Sequence, residues 1–307
     1  MSNTYFEILR PGINTTIQDS GRNHMYHEGI TVSGAIDQRN YKLSNKLVNN
    51  KLNEAVIEFA YQGPILKLKN GKINFCITGD VIFKIIRKNF KTEEGKCYKN
   101  YILEEEDQLD ISSTKNTAFG YLSVNGGFQI EKIWNSYSIN TKANIGPNNG
   151  KKYSIKDKIF IKIPNLKKIN KLELNYAGLS DNIIRVIRGT NFNYFSTDAQ
   201  NRFFNQEFLV SNLADRMGIR LNGNKLENSV STNIKSEGLV RGAIQVPADG
   251  NPIIMLSDHG TIGGYPKIAV VISADLDLVG QLIPGTTINF KEVSLEEAQN
   301  IFKAYTE

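Results

Sequence analysis

Apolar and polar positions alternate along this chain in short runs, and few stretches hold a helical period. Tyr5–Leu9 (YFEIL) alternates as a half-buried strand does and is stopped by Arg10-Pro11-Gly12. Ala55–Tyr61, Ile65–Leu68, Ile73–Thr78 and Val81–Arg87 read as further strands, divided by Gln62-Gly63-Pro64, Asn70-Gly71 and Gly79-Asp80. Asn70-Gly71 is a hairpin signal, because both residues tolerate the positive φ of a type I′ turn. Tyr101–Leu103, Gln108–Ser112 and Ala118–Val124 continue the series, and Ile155–Ile163 reads as its closing strand. Apolar runs recurring about every ten residues predict an antiparallel sheet or barrel and not a βαβ fold. One helix interrupts them: Asp37 is a good N-cap for a segment reaching about Asn49, with Tyr41, Leu43, Leu47 and Val48 as its apolar stripe.

From Pro164 to Ser180 the chain is polar and aperiodic, which suits a connector. We place a first domain over 1–165, the connector over 166–182 and a second domain over 183–307. The second half repeats the strand-rich pattern in Ile183–Ile187, Phe208–Ser211, Ala243–Val246, Pro252–Leu256, Lys267–Ile272 and Thr287–Phe290. Short helices are predicted over Phe192–Phe204, with Phe195 and Phe203 inward, and over Ser273–Leu282. A last helix starts at Ser294, where Glu297 completes a capping box and Ala298, Ile301, Phe302 and Tyr305 give the buried face. The expected fold is mainly β, with a few short helices.

Composition adds mostly exclusions. No window approaches ~18 consecutive apolar residues, so no transmembrane helix is expected. The opening MSNTYFEILRPG lacks a basic region ahead of an apolar one, so a cytoplasmic location is expected. The net charge of +6 invites a nucleic-acid reading, but the lysines are scattered and their densest group (Lys162, Lys167, Lys168, Lys171) falls around the connector. No nucleic-acid partner is therefore expected. Cys76 and Cys97 lack metal-binding spacing, and His24, His27 and His259 form no zinc pattern, so no metal site is expected in the chain itself. There is no GxxxxGK[ST] loop, no GxGxxG after a strand, no GxSxG elbow, and no Met-Lys-Met of the kind that carries biotin.

Candidate chemistry concentrates between Arg241 and Ile272. Ser257–Pro266 is a polar loop between two apolar strands, and Gly260, Gly263 and Gly264 within it would let a small planar ligand approach the backbone. Asp258 or His259 could move a proton near neutral pH, and Lys267 could face a carboxylate or phosphate. Gln245 could recognise an amide through both of its polar atoms. Each has an ordinary alternative, with Lys267 a solvated strand end and His259 a loop hydrogen-bonder. Asp215, Arg216 and Arg220 form a charged cluster that reads either as a structural ion pair or as a substrate clamp.

Several stretches also carry a resemblance. IQVPADGNPI at 244–253 and GGYPKIA at 263–269 resemble the family that includes the C subunit of bacterial ATP-dependent 5-oxoprolinase. Allophanate hydrolase subunit 2, the biotin-dependent carboxyltransferase domain of urea amidolyase and the antagonist of the kinase A inhibitor in spore-formers belong to the same family. Thr15-Thr16-Ile17-Gln18-Asp19 with Gly21-Arg22, Val32–Asp37, Gly126-Gly127-Phe128 and Asp215–Leu221 resemble further signatures of it. The match has departures: Pro11-Gly12 is inverted, Tyr137 stands where the family tends to have arginine between two serines, and Thr190-Asn191 replace Pro-Gln after Arg188-Gly189.

The resemblance implies two tandem cyclophilin-like β-barrels and one component of an ATP-dependent hydrolase that opens the cyclic amide C–N bond of 5-oxo-L-proline to give L-glutamate. It further implies ATP with Mg2+ at or shared with a partner, a B subunit similar to the kinase A inhibitor, and an A subunit. Site residues under this reading are Asp258, His259 and Lys267 for catalysis. Gln245, Gly263, Gly264, Tyr265, Gln18, Asp19 and Arg22 would bind substrate, with Asp19 and Arg22 equally readable as turn residues. The family also leaves open a carboxyltransferase acting on urea or a similar amide, and a non-enzymatic antagonist of a kinase-inhibitor protein.

Overall fold

The structure, a computed structural model, describes residues 3–162, 171–176, 181–231 and 233–306. Most of the predicted connector lies outside the described residues, as do Lys167 and Lys168 of the lysine group. The chain gathers into two units: Met1–Arg22 with Ser33–Gly178, and Asn23–Val32 with Leu179–Glu307. Residues 23–32 thus leave the unit that flanks them in sequence, and no change of composition announces it.

The first unit holds β1 (Tyr5–Arg10), β2 (Thr16–Gln18), α1 (Gln38–Leu47), β3 (Val56–Ala60), β4 (Ile65–Lys69), β5 (Lys72–Thr78), β6 (Val81–Ile86), β7 (Thr92–Glu94), β8 (Asn100–Glu104), β9 (Gln108–Thr114), β10 (Phe119–Val124) and β11 (Lys158–Phe160). They form a six-stranded sheet in the order β11-β1-β4-β9-β6-β7 and a five-stranded sheet in the order β2-β3-β10-β5-β8. Alternation explains how they close on one another. Phe6 and Ile8 of β1, Leu66 and Leu68 of β4, and Leu109 and Ile111 of β9 meet Ile57, Phe59, Phe75, Ile77 and Leu122 of the other sheet in one apolar cluster. The helix α1 starts as read from the sequence, with the Asp37 carboxylate accepting from Asn40 N at 2.8 Å. Cys76 is buried against Leu47, Val48 and Tyr98, and burial raises its thiol pKa, so it packs as a small apolar residue.

The second unit holds β12 (Ile183–Arg188), α2 (Thr197–Asn205), β13 (Phe208–Ala214), β14 (Gly218–Asn222), β15 (Glu237–Gly238), β16 (Ala243–Gln245), β17 (Ile253–Met255), β18 (Ile262–Gly263), β19 (Lys267–Val271), α3 (Leu276–Gly280), β20 (Thr287–Glu292) and α4 (Leu295–Thr306). Seven of these strands close into a barrel in the order β12-β19-β16-β17-β14-β13-β20, the seam being the parallel pairing of β20 with β12. Phe203 on α2 stacks on Phe290 of β20, ring centres 4.5 Å apart, and Phe195 is also inward, as the aromatic pattern predicts. The last helix carries its capping box, Ser294 N donating to Glu297 Oε2 and Glu297 N to Ser294 Oγ. Its face differs from the predicted one: Ala298, Ile301 and Tyr305 pack inward, whereas Phe302 is 42% exposed. No helix among the described residues is long and apolar enough to cross a membrane.

Two features of the barrel position the chemistry. The pairing of β16 with β19 sets Gln245 opposite Lys267, with a register shift just before Gln245. Where β12 ends, Gly189 runs so close to β19 that a Cβ would lie 2.3 Å from the Lys267 carbonyl oxygen. Backbone cannot yield there as a flexible side chain could. Gly189→Ala is expected to destabilise the protein by about 1–3 kcal/mol, read as a lowered denaturant midpoint; an unchanged midpoint would mean that β12 and β19 are not held this closely.

Candidate functional site

Lys267 opens β19, and its side chain is only 7% exposed. An ammonium so buried needs a counter-charge, and Glu237 Oε2 supplies it. The ammonium beside it holds the Glu237 carboxyl below its ordinary pKa, against the opposing effect of burial. Glu237 comes from β15, which among the described residues pairs only with the two-residue β18, and its own side chain is 41% exposed. Asn191 steadies the pair: its Oδ1 accepts from Lys267 N at 3.0 Å, and its Nδ2 lies 3.5 Å from Glu237 Oε1. Lys267 is therefore not a solvated strand end. Glu237 and Asn191 escaped the sequence reading. Glu237 lies thirty residues before its lysine in an irregular segment, and Asn191 stood out only as a departure from the family pattern.

Beside this pair, Gln245 is 3% exposed and donates from Nε2 to the Tyr265 carbonyl at 3.0 Å. Gly263 faces its amide, and a Cβ there would lie 2.7 Å from Nε2. Gly264 accepts from Ile234 N through its carbonyl at 2.9 Å. None of the loop glycines Gly260, Gly263 and Gly264 has a positive φ. In this structure Gly263 makes room for the Gln245 side chain, the kind of close approach that the sequence reading reserved for a ligand. The Tyr265 ring is partly exposed, at 39%.

Asp258 and His259 form a second set on the same loop. Both Asp258 oxygens are engaged by Arg216, from Nε at 2.7 Å and from the second guanidinium nitrogen at 3.1 Å, with side chains 1% and 6% exposed. This is a buried bidentate pair. Asp215, the acid of the sequence cluster, accepts from Met217 N at 2.8 Å, and Arg220 pairs with Asp249. His259 is 2% exposed. Its Nδ1 lies 2.5 Å from the Gly260 carbonyl and its Nε2 3.0 Å from the Tyr26 hydroxyl. Burial lowers the His259 pKa from 6.5; the Gly260 contact and Asp258 oppose this, and Arg241 adds to it. Tyr26, from the transferred segment 23–32, is the partner that sequence could not supply, since 233 residues separate it from His259.

Gln18, Asp19 and Arg22 lie in the first unit and turn toward residues 136–139. Asp19 Oδ1 accepts from Gly21 N at 2.8 Å, Ser136 Oγ at 2.7 Å and Ser138 Oγ at 2.5 Å, while Oδ2 accepts from Tyr137 N at 2.8 Å. Arg22 donates to the Ser138 carbonyl, and Gln18 Nε2 to the Ile139 carbonyl at 2.8 Å. The second signature is tied in likewise, Ile36 N donating to the buried Glu58 at 2.8 Å and Asp37 N to the Tyr121 hydroxyl at 2.7 Å. The two serines flanking Tyr137 thus serve as partners of Asp19.

The family described as carboxyltransferase domain, subdomain A and B, matches residues 28–292. The chain belongs to that family. A protein of Haemophilus influenzae named as the C subunit of 5-oxoprolinase is 32% identical, the match covering 96% of this chain and 93% of that protein. Its namesake in Escherichia coli is 29% identical over 95% of this chain and 92% of its own length. Urea amidolyase of Saccharomyces cerevisiae is 26% identical over 97% of this chain, which spans only 17% of that larger protein. Among solved structures, K. lactis urea amidolyase superposes with a TM-score of 0.89 at 26% identity, covering 100% of this chain and 20% of that one. In this carboxyltransferase-family chain the matched region holds Asn191, Arg216, Glu237, Gln245, Asp258, His259 and Lys267, whereas Gln18, Asp19, Arg22 and Tyr26 precede it.

Two measurements probe these sets. Asp258→Asn leaves the Arg216 charge buried with its main partner gone, and a loss of about 3–5 kcal/mol is expected in denaturant unfolding. The double variant Asp258→Asn/Arg216→Met should lose less than that; an Asp258→Asn protein of unchanged stability would contradict a buried pair. His259 titrates below the value it has when unfolded. Its contribution is therefore fully present above about pH 6.5 and is lost as pH falls through the lower, folded value. Unfolding free energies between about pH 5 and 8 should show this slope, and His259→Gln should flatten it, His24 and His27 being exposed.

Proposed function

We propose that this chain is the C subunit of an ATP-dependent 5-oxoprolinase. With a B subunit resembling the kinase A inhibitor and an A subunit, it would convert 5-oxo-L-proline to L-glutamate by phosphorylation of the lactam carbonyl and ring opening in the cytoplasm. The observation that carries the reading is the end-to-end match to two bacterial proteins that bear this 5-oxoprolinase name. The site is compatible in its chemistry. The substrate is a small lactam with a carboxylate, and Lys267 already holds a carboxylate, that of Glu237, in the place an anionic group would take. Gln245 offers an amide beside it, and the Nε2 hydrogen not given to the Tyr265 carbonyl suits the lactam carbonyl. Such a transfer depends on positioning and on stabilising negative charge.

ATP enters as a co-substrate. A triphosphate carries several negative charges, more than Lys267 alone can balance. Among the described residues no three His, Cys, Asp or Glu side chains gather to hold a metal ion. In this reading a partner protein of the complex supplies or shares the contacts to ATP and to any Mg2+. A second reading, carboxyl transfer to urea or a similar amide, is favoured by the structural likeness to K. lactis urea amidolyase. It would need a biotin carrier from elsewhere.

Reconstitution separates the two. The isolated chain should hydrolyse no ATP with 5-oxoproline, and adding the A and B subunits should give glutamate release. Lys267→Ala should lower that release by about a hundredfold or more, the loss typical of a charge-stabilising donor. Full turnover by the isolated chain, or an unaffected Lys267→Ala complex, would count against the assignment. Transfer from carboxybiotin to urea in place of glutamate release would select the second reading.

A further inference from the structure

We propose that Tyr26 and His259 form a two-member proton relay, the phenol meeting the ligand and the imidazole acting as the base behind it. The inference rests on reading the chain as part of an amide-handling enzyme. The geometry starts at Gly260. A carbonyl oxygen only accepts, so the 2.5 Å contact of His259 Nδ1 with it places the ring proton on Nδ1. Nε2 is then the bare nitrogen, and the Tyr26 hydroxyl 3.0 Å away donates to it. A hydroxyl aimed at a base whose far nitrogen is fixed by a third group is the wiring of an activated hydroxyl.

The surroundings agree with this role. Burial keeps His259 in the neutral, proton-accepting form, and burial also raises the Tyr26 pKa, so the phenol holds its proton at neutral pH. The charged groups facing His259 are Asp258, which favours the imidazolium, and Arg241, which opposes it; Arg216 neutralises part of the Asp258 charge. On the Tyr26 turn, His27 and Glu28 pair with each other at 3.3 Å and are exposed. In the same loop, Ser257 Oγ is buried without a hydrogen-bond partner among the described residues, and a bound ligand would satisfy it.

The step balances without an added oxidant or reductant. The ligand amide N–H proton passes to Tyr26 Oη as the Tyr26 proton passes to His259 Nε2. The ligand is left as an amidate with its charge on the carbonyl oxygen, and His259 as an imidazolium still donating to Gly260. In the 5-oxoprolinase reading that oxygen then attacks the γ-phosphorus of ATP; an O–P bond forms, the bridging P–O bond breaks, and ADP departs.

Tyr26→Phe keeps the ring and removes the hydroxyl. In the reconstituted complex it should lower kcat for glutamate release by about 10²–10⁴-fold, leave KM for 5-oxoproline nearly unchanged, and remove the acid limb of the pH profile. His259→Gln should match that loss, and the double variant should add little to it. On the isolated chain, nitrogen-15 NMR of the three histidines should place the His259 proton on Nδ1 and show its Nε2 signal moving in Tyr26→Phe. A Tyr26→Phe complex with the kcat and pH profile of the unchanged protein, or a His259 protonated on Nε2, would overturn the relay. If the unchanged complex releases no glutamate, the 5-oxoprolinase reading fails by itself and the tautomer measurement still decides the relay.

Discussion

A lysine ammonium sealed from water is the constraint that the second unit is arranged around. Placing Lys267 at the start of β19 obliges the chain to bring it a carboxylate, and the carboxylate comes from β15, a strand outside the barrel. Asn191 binds the backbone of one partner and approaches the carboxylate of the other, so the turn after β12 is fixed by the same requirement. Gly189 allows that turn to touch β19, and Gly263 leaves room for the amide of Gln245. The ion pair, the glycines and the strand register form one arrangement, in which a change to any member is felt by the others.

The first unit solves a comparable problem with an anion. Asp19 is 4% exposed, yet its carboxylate accepts four hydrogen bonds, three of them from the 136–138 segment. Satisfied in this way, a buried charge becomes a clasp that fixes a long connection against the start of the chain. The opening signature and the serine-rich loop, distant in sequence, are two halves of that clasp. A tyrosine between the serines is compatible with it, because Tyr137 contributes its backbone N–H.

What was legible in the sequence follows the range of the interactions. Alternation in YFEIL, the Asp37 cap and the Ser294/Glu297 box are local effects, and each stands where the residues indicate. Asn70-Gly71 does turn the chain with positive φ, but β4 and β5 on either side of it belong to different sheets, so the expected hairpin is instead a crossing from one sheet to the other. Phe302 was misplaced because an apolar stripe names a face without stating how much of it the barrel covers. The site was legible at Gln245, Asp258, His259 and Lys267 as a concentration of polar side chains among apolar strands. Their partners were not. Arg216, Glu237 and Tyr26 reach the site through contacts with no sequence period, and the bidentate pairing of Arg216 with Asp258 spans forty-two residues that no local pattern links.

The transfer of residues 23–32 has a consequence for how this molecule can be divided. A cut at the connector, the place that composition recommends, would yield a C-terminal piece with an intact run of barrel strands but without Tyr26. The second unit is discontinuous in the gene, and its histidine depends on a residue encoded ahead of nearly all the strands of the other unit. Exchanging the halves as blocks would therefore separate the tyrosine from its histidine.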